Sequence, residues 1–87
     1  MERTLEVQNR QKLPGVIELI KKGVDFKKIE NLQLCHNKLK AFPMRYIEMI
    51  GNRLYKLKLD HNFIVEIPWE ICGLEALETL SLSHNAI

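Results

Sequence analysis

The chain has 87 residues, 46% of them hydrophobic and 28% charged, with a formal net charge of +2. That length suits one small domain with a modest core, and so weak a charge gives no argument for nucleic acid. No apolar run approaches the ~18 residues of a membrane span, and the opening MERTLEVQNR lacks the apolar stretch of a secretory signal.

The charge is distributed unevenly. Residues 1–28 carry seven Lys/Arg against four Asp/Glu, residues 29–53 four against two, and residues 54–87 two against five. A basic start and an acidic end either steer a partner or are solvated surface. The two cysteines, Cys35 and Cys72, show no CxxC and no cysteine-rich framework. Free thiols in a reducing compartment are expected, so the chain is read as cytoplasmic.

In chain order, TLEV (Thr4 to Val7) reads as a degenerate strand. LPGVIELIKKG then predicts a helix that begins near Pro14. Val16, Ile17, Leu19 and Ile20 form its apolar face, Lys21 and Lys22 favour its C-terminal end, and Gly23 caps it. Val24 and Phe26 lead into Ile29. Residues 1–28 are therefore an N-terminal helical cap or a degenerate first repeat.

From Ile29 the sequence repeats. One copy runs Ile29, Leu32, Leu34, Asn37, Leu39, Phe42, Pro43. The next runs Leu54, Leu57, Leu59, Asn62, Ile64, Ile67, Pro68. A third runs Leu77, Leu80, Leu82, Asn85, Ile87. The asparagines are 25 and 23 residues apart. The leucine pairs Leu32/Leu34, Leu57/Leu59 and Leu80/Leu82 alternate with period two, which predicts one short strand per copy with the leucines inward. The remaining apolar positions, Ile67 and Ile87 among them, are expected to complete the interior. Each asparagine offers a donor and an acceptor where the chain leaves the strand, so a stacked row of them should satisfy backbone groups.

After Pro43, Tyr46, Ile47, Met49 and Ile50 predict a helical turn or two that leaves through Gly51-Asn52. After Pro68, Ile71 and Leu74 have the spacing of a single helical or 3-10 turn. Trp69 is expected to pack over that edge.

The LxxLxLxxNxL pattern, at a period of 20–29 residues, resembles the leucine-rich-repeat family over residues 29–87. The run from Glu66 to Asn85 is similar to the intracellular subclass found in Ras-pathway scaffolds and Roco-type leucine-rich-repeat kinases. The resemblance implies an α/β fold, a short leucine-rich-repeat solenoid of about two and a half repeats. It would have a parallel β-sheet on the concave face and helical or 3-10 turns on the convex side.

It also implies a protein-binding concave face. Carried over by position, the candidates are Glu30, Asn31, Gln33, Cys35 and His36 from the first copy. The second gives Tyr55, Lys56, Lys58, Asp60 and His61, and the third Glu78, Thr79, Ser81, Ser83 and His84. Tyr55 is the best single anchor, since tyrosine brings area and a hydroxyl at low entropic cost. The function expected is a non-catalytic protein–protein interaction module in intracellular signalling or scaffolding, with a protein partner. The alternative is a regulatory part of a larger enzyme, with catalysis outside this chain.

All three histidines precede a repeat asparagine, so His36, His61 and His84 should form a row. Strands ~4.8 Å apart would let neighbouring imidazoles stack. A metal site needs converging nitrogens and further ligands, whereas a row presents parallel rings, so no metal or cofactor is expected. No GxSxG, HExxH, phosphate-binding glycine loop or kinase motif occurs, so no enzyme activity is expected. Lys21, Lys22, Lys27, Lys28, Lys38 and Lys40 lack aromatic interleaving and a recognised module, so nucleic acid is not an expected partner, and with no apolar run of spanning length neither is a membrane.

The third copy stops at Ile87 with no segment to cover Leu80, Leu82 and Ile87. This points to a piece of a longer array. The competing reading is a complete short protein that covers the uncapped C-terminal edge by self-association or by a partner.

Overall fold

A computed structural model of the chain describes residues 3–87. Four three-residue strands form one parallel sheet in sequential order: β1 (Thr4–Glu6), β2 (Asn31–Gln33), β3 (Lys56–Lys58) and β4 (Thr79–Ser81). Parallel neighbours require a crossover, and here each crossover carries helical structure. Between β1 and β2 lie α1 (Val16–Lys21) and a 3-10 turn at Phe26–Lys28. The second crossover holds α2 (Met44–Ile50) and a 3-10 turn at Gly51–Arg53, and the third only a 3-10 turn at Trp69–Gly73. The longer second segment is thus a true helix and the shorter third is not, as the two-residue difference in spacing predicts. The degenerate strand is also real, since β1 pairs with β2 from Thr4 opposite Asn31 to Glu6 opposite Gln33.

The register explains the core. Leu5, Leu32, Leu57 and Leu80 occupy one row across the sheet. Leu32 and Leu57 are 0% exposed between two neighbouring strands; on the two edge strands Leu5, in one core cluster with Val16 and Leu19 of α1, is 9% exposed, whereas Leu80 is 36% exposed. Leu34, Leu54, Leu59 and Ile64 are likewise fully buried, and Tyr46, Ile47 and Ile50 close the core from α2.

Several sequence expectations need correction. In α1 only Val16 and Leu19 face the core, while Ile17 is 65% and Ile20 46% exposed. Six helical residues make fewer than two turns, so only the i, i+3 pair reaches the sheet. Met49 of α2 is exposed in the same way. Ile67 is 48% and Ile87 61% exposed, so neither completes an interior. The equivalent Phe42 is 7% exposed. Trp69 does not pack over its edge; it is 80% exposed.

Two glycines are required by geometry. Gly23, at φ +101°, follows α1. There the Gly23 and Val24 amides donate to the Ile20 and Leu19 carbonyls, which closes the helix as a Schellman motif. Gly51, at φ +67° and ψ −141°, turns the chain out of α2 through a region closed to side chains.

The buried Tyr46 links the first two crossovers. Its ring meets Phe26 edge-on at 5.8 Å, and its hydroxyl donates to the Pro14 carbonyl. Burial raises its pKa above 10.0; Glu18 adds to the rise and Arg10 opposes it. The folded state therefore holds the proton more tightly than the unfolded chain does. This contribution to stability is complete below pH 10.0 and is lost as pH climbs from there through the raised folded value. Tyr46→Phe should remove that alkaline slope, while costing about 0.5–1.5 kcal/mol at neutral pH for the lost hydrogen bond. Denaturant midpoints compared at neutral pH and above pH 10.0 check both signs.

Candidate functional site

The residues singled out by sequence lie on the sheet face opposite the core and along the turns that leave it. Two outward rows are set by register: Thr4, Asn31, Lys56, Thr79, and Glu6, Gln33, Lys58, Ser81. Tyr55, immediately before β3, is 40% exposed. Its carbonyl accepts from the Glu78 and Thr79 amides, which anchors the backbone beneath the ring. Lys56 and Lys58 are half-buried at the middle of the face. The two salt bridges among the described residues are Arg3–Glu30 and Glu18–Lys22, so neither central lysine is paired there.

Other candidates serve the scaffold. Asn31 is 7% exposed and accepts from Gln33 Nε2, which withdraws it from the surface. Asp60 Oδ1 accepts from Ser81 Oγ at 2.6 Å and from the Ser83 amide at 2.8 Å. These bonds tie the end of β3 to the end of β4. Spacing alone does not reveal this tie, because an acidic residue reads as solvated until the serine row is laid beside it. Glu30 is held by Arg3 at 3.1 Å. Both thiols are free, Cys35 half-buried and Cys72 exposed.

The asparagines form a ladder. Asn62 Oδ1 accepts from the Asn37 and Leu39 amides at 2.9 and 3.1 Å, and its Nδ2 donates to the Leu34, Leu59 and Asp60 carbonyls. Asn37 accepts from the Arg10 amide and donates to the Val7 and Cys35 carbonyls. Asn85 accepts from the Ile64 amide and donates to the Leu59, Leu82 and Ser83 carbonyls. Each side chain therefore stitches its own strand end to the preceding unit. Asn37 and Asn62 are 2% and 3% exposed, where unsatisfied backbone groups are expensive.

The histidines have a backbone reason that spacing does not disclose. His36, His61 and His84 have φ of 59°, 58° and 58°, in the left-handed region. Among non-glycine residues, Asn, Asp and His are enriched there. Asn9 takes the same conformation at φ 61° in the first unit. The signal for it was present, since Asn9 precedes His36 by 27 residues. The rings stack: His36 to His61 at 4.4 Å and His61 to His84 at 4.3 Å, each 9° from parallel.

Parallel rings do not converge on a point. No group of three or more His, Cys, Asp or Glu side chains among the described residues could hold a metal ion. The stack borders an open cleft of 440 Å³ where Arg10 and Lys38 face the imidazoles beside the exposed Phe63. Its lining carries two cations and no carboxylate.

The outward face thus offers aromatic and charged side chains in rows fixed by the strand register. No helix among the described residues is long and apolar enough to cross a membrane. No family model matches the chain, and no solved structure matches it at a significant level.

Proposed function

We propose that the chain is a non-catalytic protein-interaction module, a short leucine-rich-repeat solenoid that binds a protein partner through the concave face of its sheet. It would serve signalling or scaffolding inside the cell. The observation that carries the reading is the set of outward rows in strict register, with Lys56 and Lys58 at their centre, unpaired among the described residues, and Tyr55 immediately before them. A rigid sheet presents those side chains at little further entropic cost, and an aromatic beside two cations suits an acidic partner surface. Around them the candidates divide by role. Gln33, Cys35, His36, His61, Thr79 and His84 complete the binding face. Asp60, Ser81 and Ser83 hold its shape through their mutual bonds.

Tyr55→Ala combined with Lys58→Glu tests this, because neither side chain lies in the core. Quantitative affinity capture with the wild-type and variant chains should show the wild-type partners depleted at least about tenfold, the effect of some 1.4 kcal/mol. An unchanged set of partners, with circular dichroism unaltered, would mean that the segment is purely structural.

A further inference from the structure

We infer that copies of this chain associate head to tail, with Trp69 of one copy seated in an apolar groove between the first two crossovers of the next. The groove has a volume of 560 Å³. Val16, Phe42 and Tyr46, all nearly buried, form its floor, and the exposed Ile17 stands at its rim. Its charged lining residues are Lys40 and Arg45, both exposed cations. That size and apolar lining, with a few charges at the edge, suit a bulky ring carried by an acidic segment.

Such a segment exists at the other end of the molecule. Trp69 is the single tryptophan and is 80% exposed. Glu66 and Glu70 flank it, and both are exposed. Ile67, 48% exposed, extends the apolar surface beside it. A ring of this size left in water has a large area to lose on docking. The carboxylates on either side would meet Lys40 and Arg45 as the indole enters. The charge division along the chain supports the same orientation: residues 1–53 hold eleven Lys/Arg against six Asp/Glu, and residues 54–87 two against five. Like ends would repel, whereas unlike ends attract.

The two surfaces differ, so the contact is heterologous and can add further copies in an open chain or a ring. One aromatic anchor and a small charged rim bury less than a standard interface, so association is weak and salt-sensitive.

Sedimentation velocity on the full chain at low salt, from roughly 10 µM to roughly 1 mM, is the test. The sedimentation coefficient should rise with concentration, and emission from Trp69 should shift to the blue over the same range as the indole leaves water. Trp69→Ala alone, and Lys40→Glu with Arg45→Glu, should each remain monomeric with unchanged circular dichroism. Mixing the two variants is decisive, since one keeps the groove and the other keeps the tryptophan. Titrating W69A into the double variant should move the emission to the same blue-shifted position, although neither variant associates with itself. For that rescue the groove of W69A must meet the Trp69 of its neighbour. A concentration-independent sedimentation coefficient would overturn the inference. So would a mixture without a shift, or W69A associating as the wild type does, which would place self-association at the β4 edge instead.

Discussion

Asn62→Ala should destabilise the fold by roughly 3–5 kcal/mol, since it strands several buried backbone groups at once. The side chain accepts from two amides of the preceding unit and donates to three carbonyls, one in that unit and two in its own. At 3% exposure, water cannot replace those partners without opening the turn. A small domain holds only about 5–15 kcal/mol in total, so the variant should sit close to unfolding. Asn85→Ala is the internal comparison. Asn85 is half-exposed, so water can take over part of its bonding and its loss should cost about 1–2 kcal/mol. Chemical denaturation followed by circular dichroism reads both. If the two variants shifted equally, or Asn62→Ala cost under about 1 kcal/mol, the ladder would be decoration rather than structure.

The second large effect concerns two leucines of the same row. Leu57→Ala should cost about 3–5 kcal/mol, because its side chain is 0% exposed between β2 and β4 and its removal leaves a cavity. Leu80→Ala, one strand further along, should cost no more than about 1.5 kcal/mol. That leucine is 36% exposed, and water can already reach the space a truncation would open. The same residue type in the same register therefore separates the two terms of burial. Equal midpoint shifts would mean that β4 is covered in solution by something that buries Leu80. A concentration-dependent shift would then identify the cover as another copy.

The histidines show how local and non-local information divide. From spacing alone, His36, His61 and His84 are a row of repeated surface residues. Their stacking at 4.3–4.4 Å follows from that spacing and from the sheet. The reason for histidine at this position is a backbone angle, φ near +58°, and no pattern of residue types reports an angle directly. Asn9 shows the same constraint met by a different residue, which is why the first unit is hard to see in the letters. Asp60 makes the complementary point. A lone carboxylate reads as available to a partner, but its serine and amide partners arrive from β4 and the residues just after it, 21 and 23 positions away.

Taken by itself, the amino-acid sequence determined the strands, their parallel order, the inward leucines, the turn asparagines and the longer second helix. All of these are periodic, and periodicity is a property of neighbours along the chain. It also located the face on which Tyr55, Lys56 and Lys58 stand. Only the tertiary structure decided coverage. It buried Phe42 and left Ile67 open, joined Thr4–Glu6 to the sheet, withdrew Asn31 from the surface, and put Trp69 in water. Equivalent positions in a repeat share a local conformation, but burial depends on what packs against them from the next unit. That is a non-local quantity, and it differs at the two ends of the sheet.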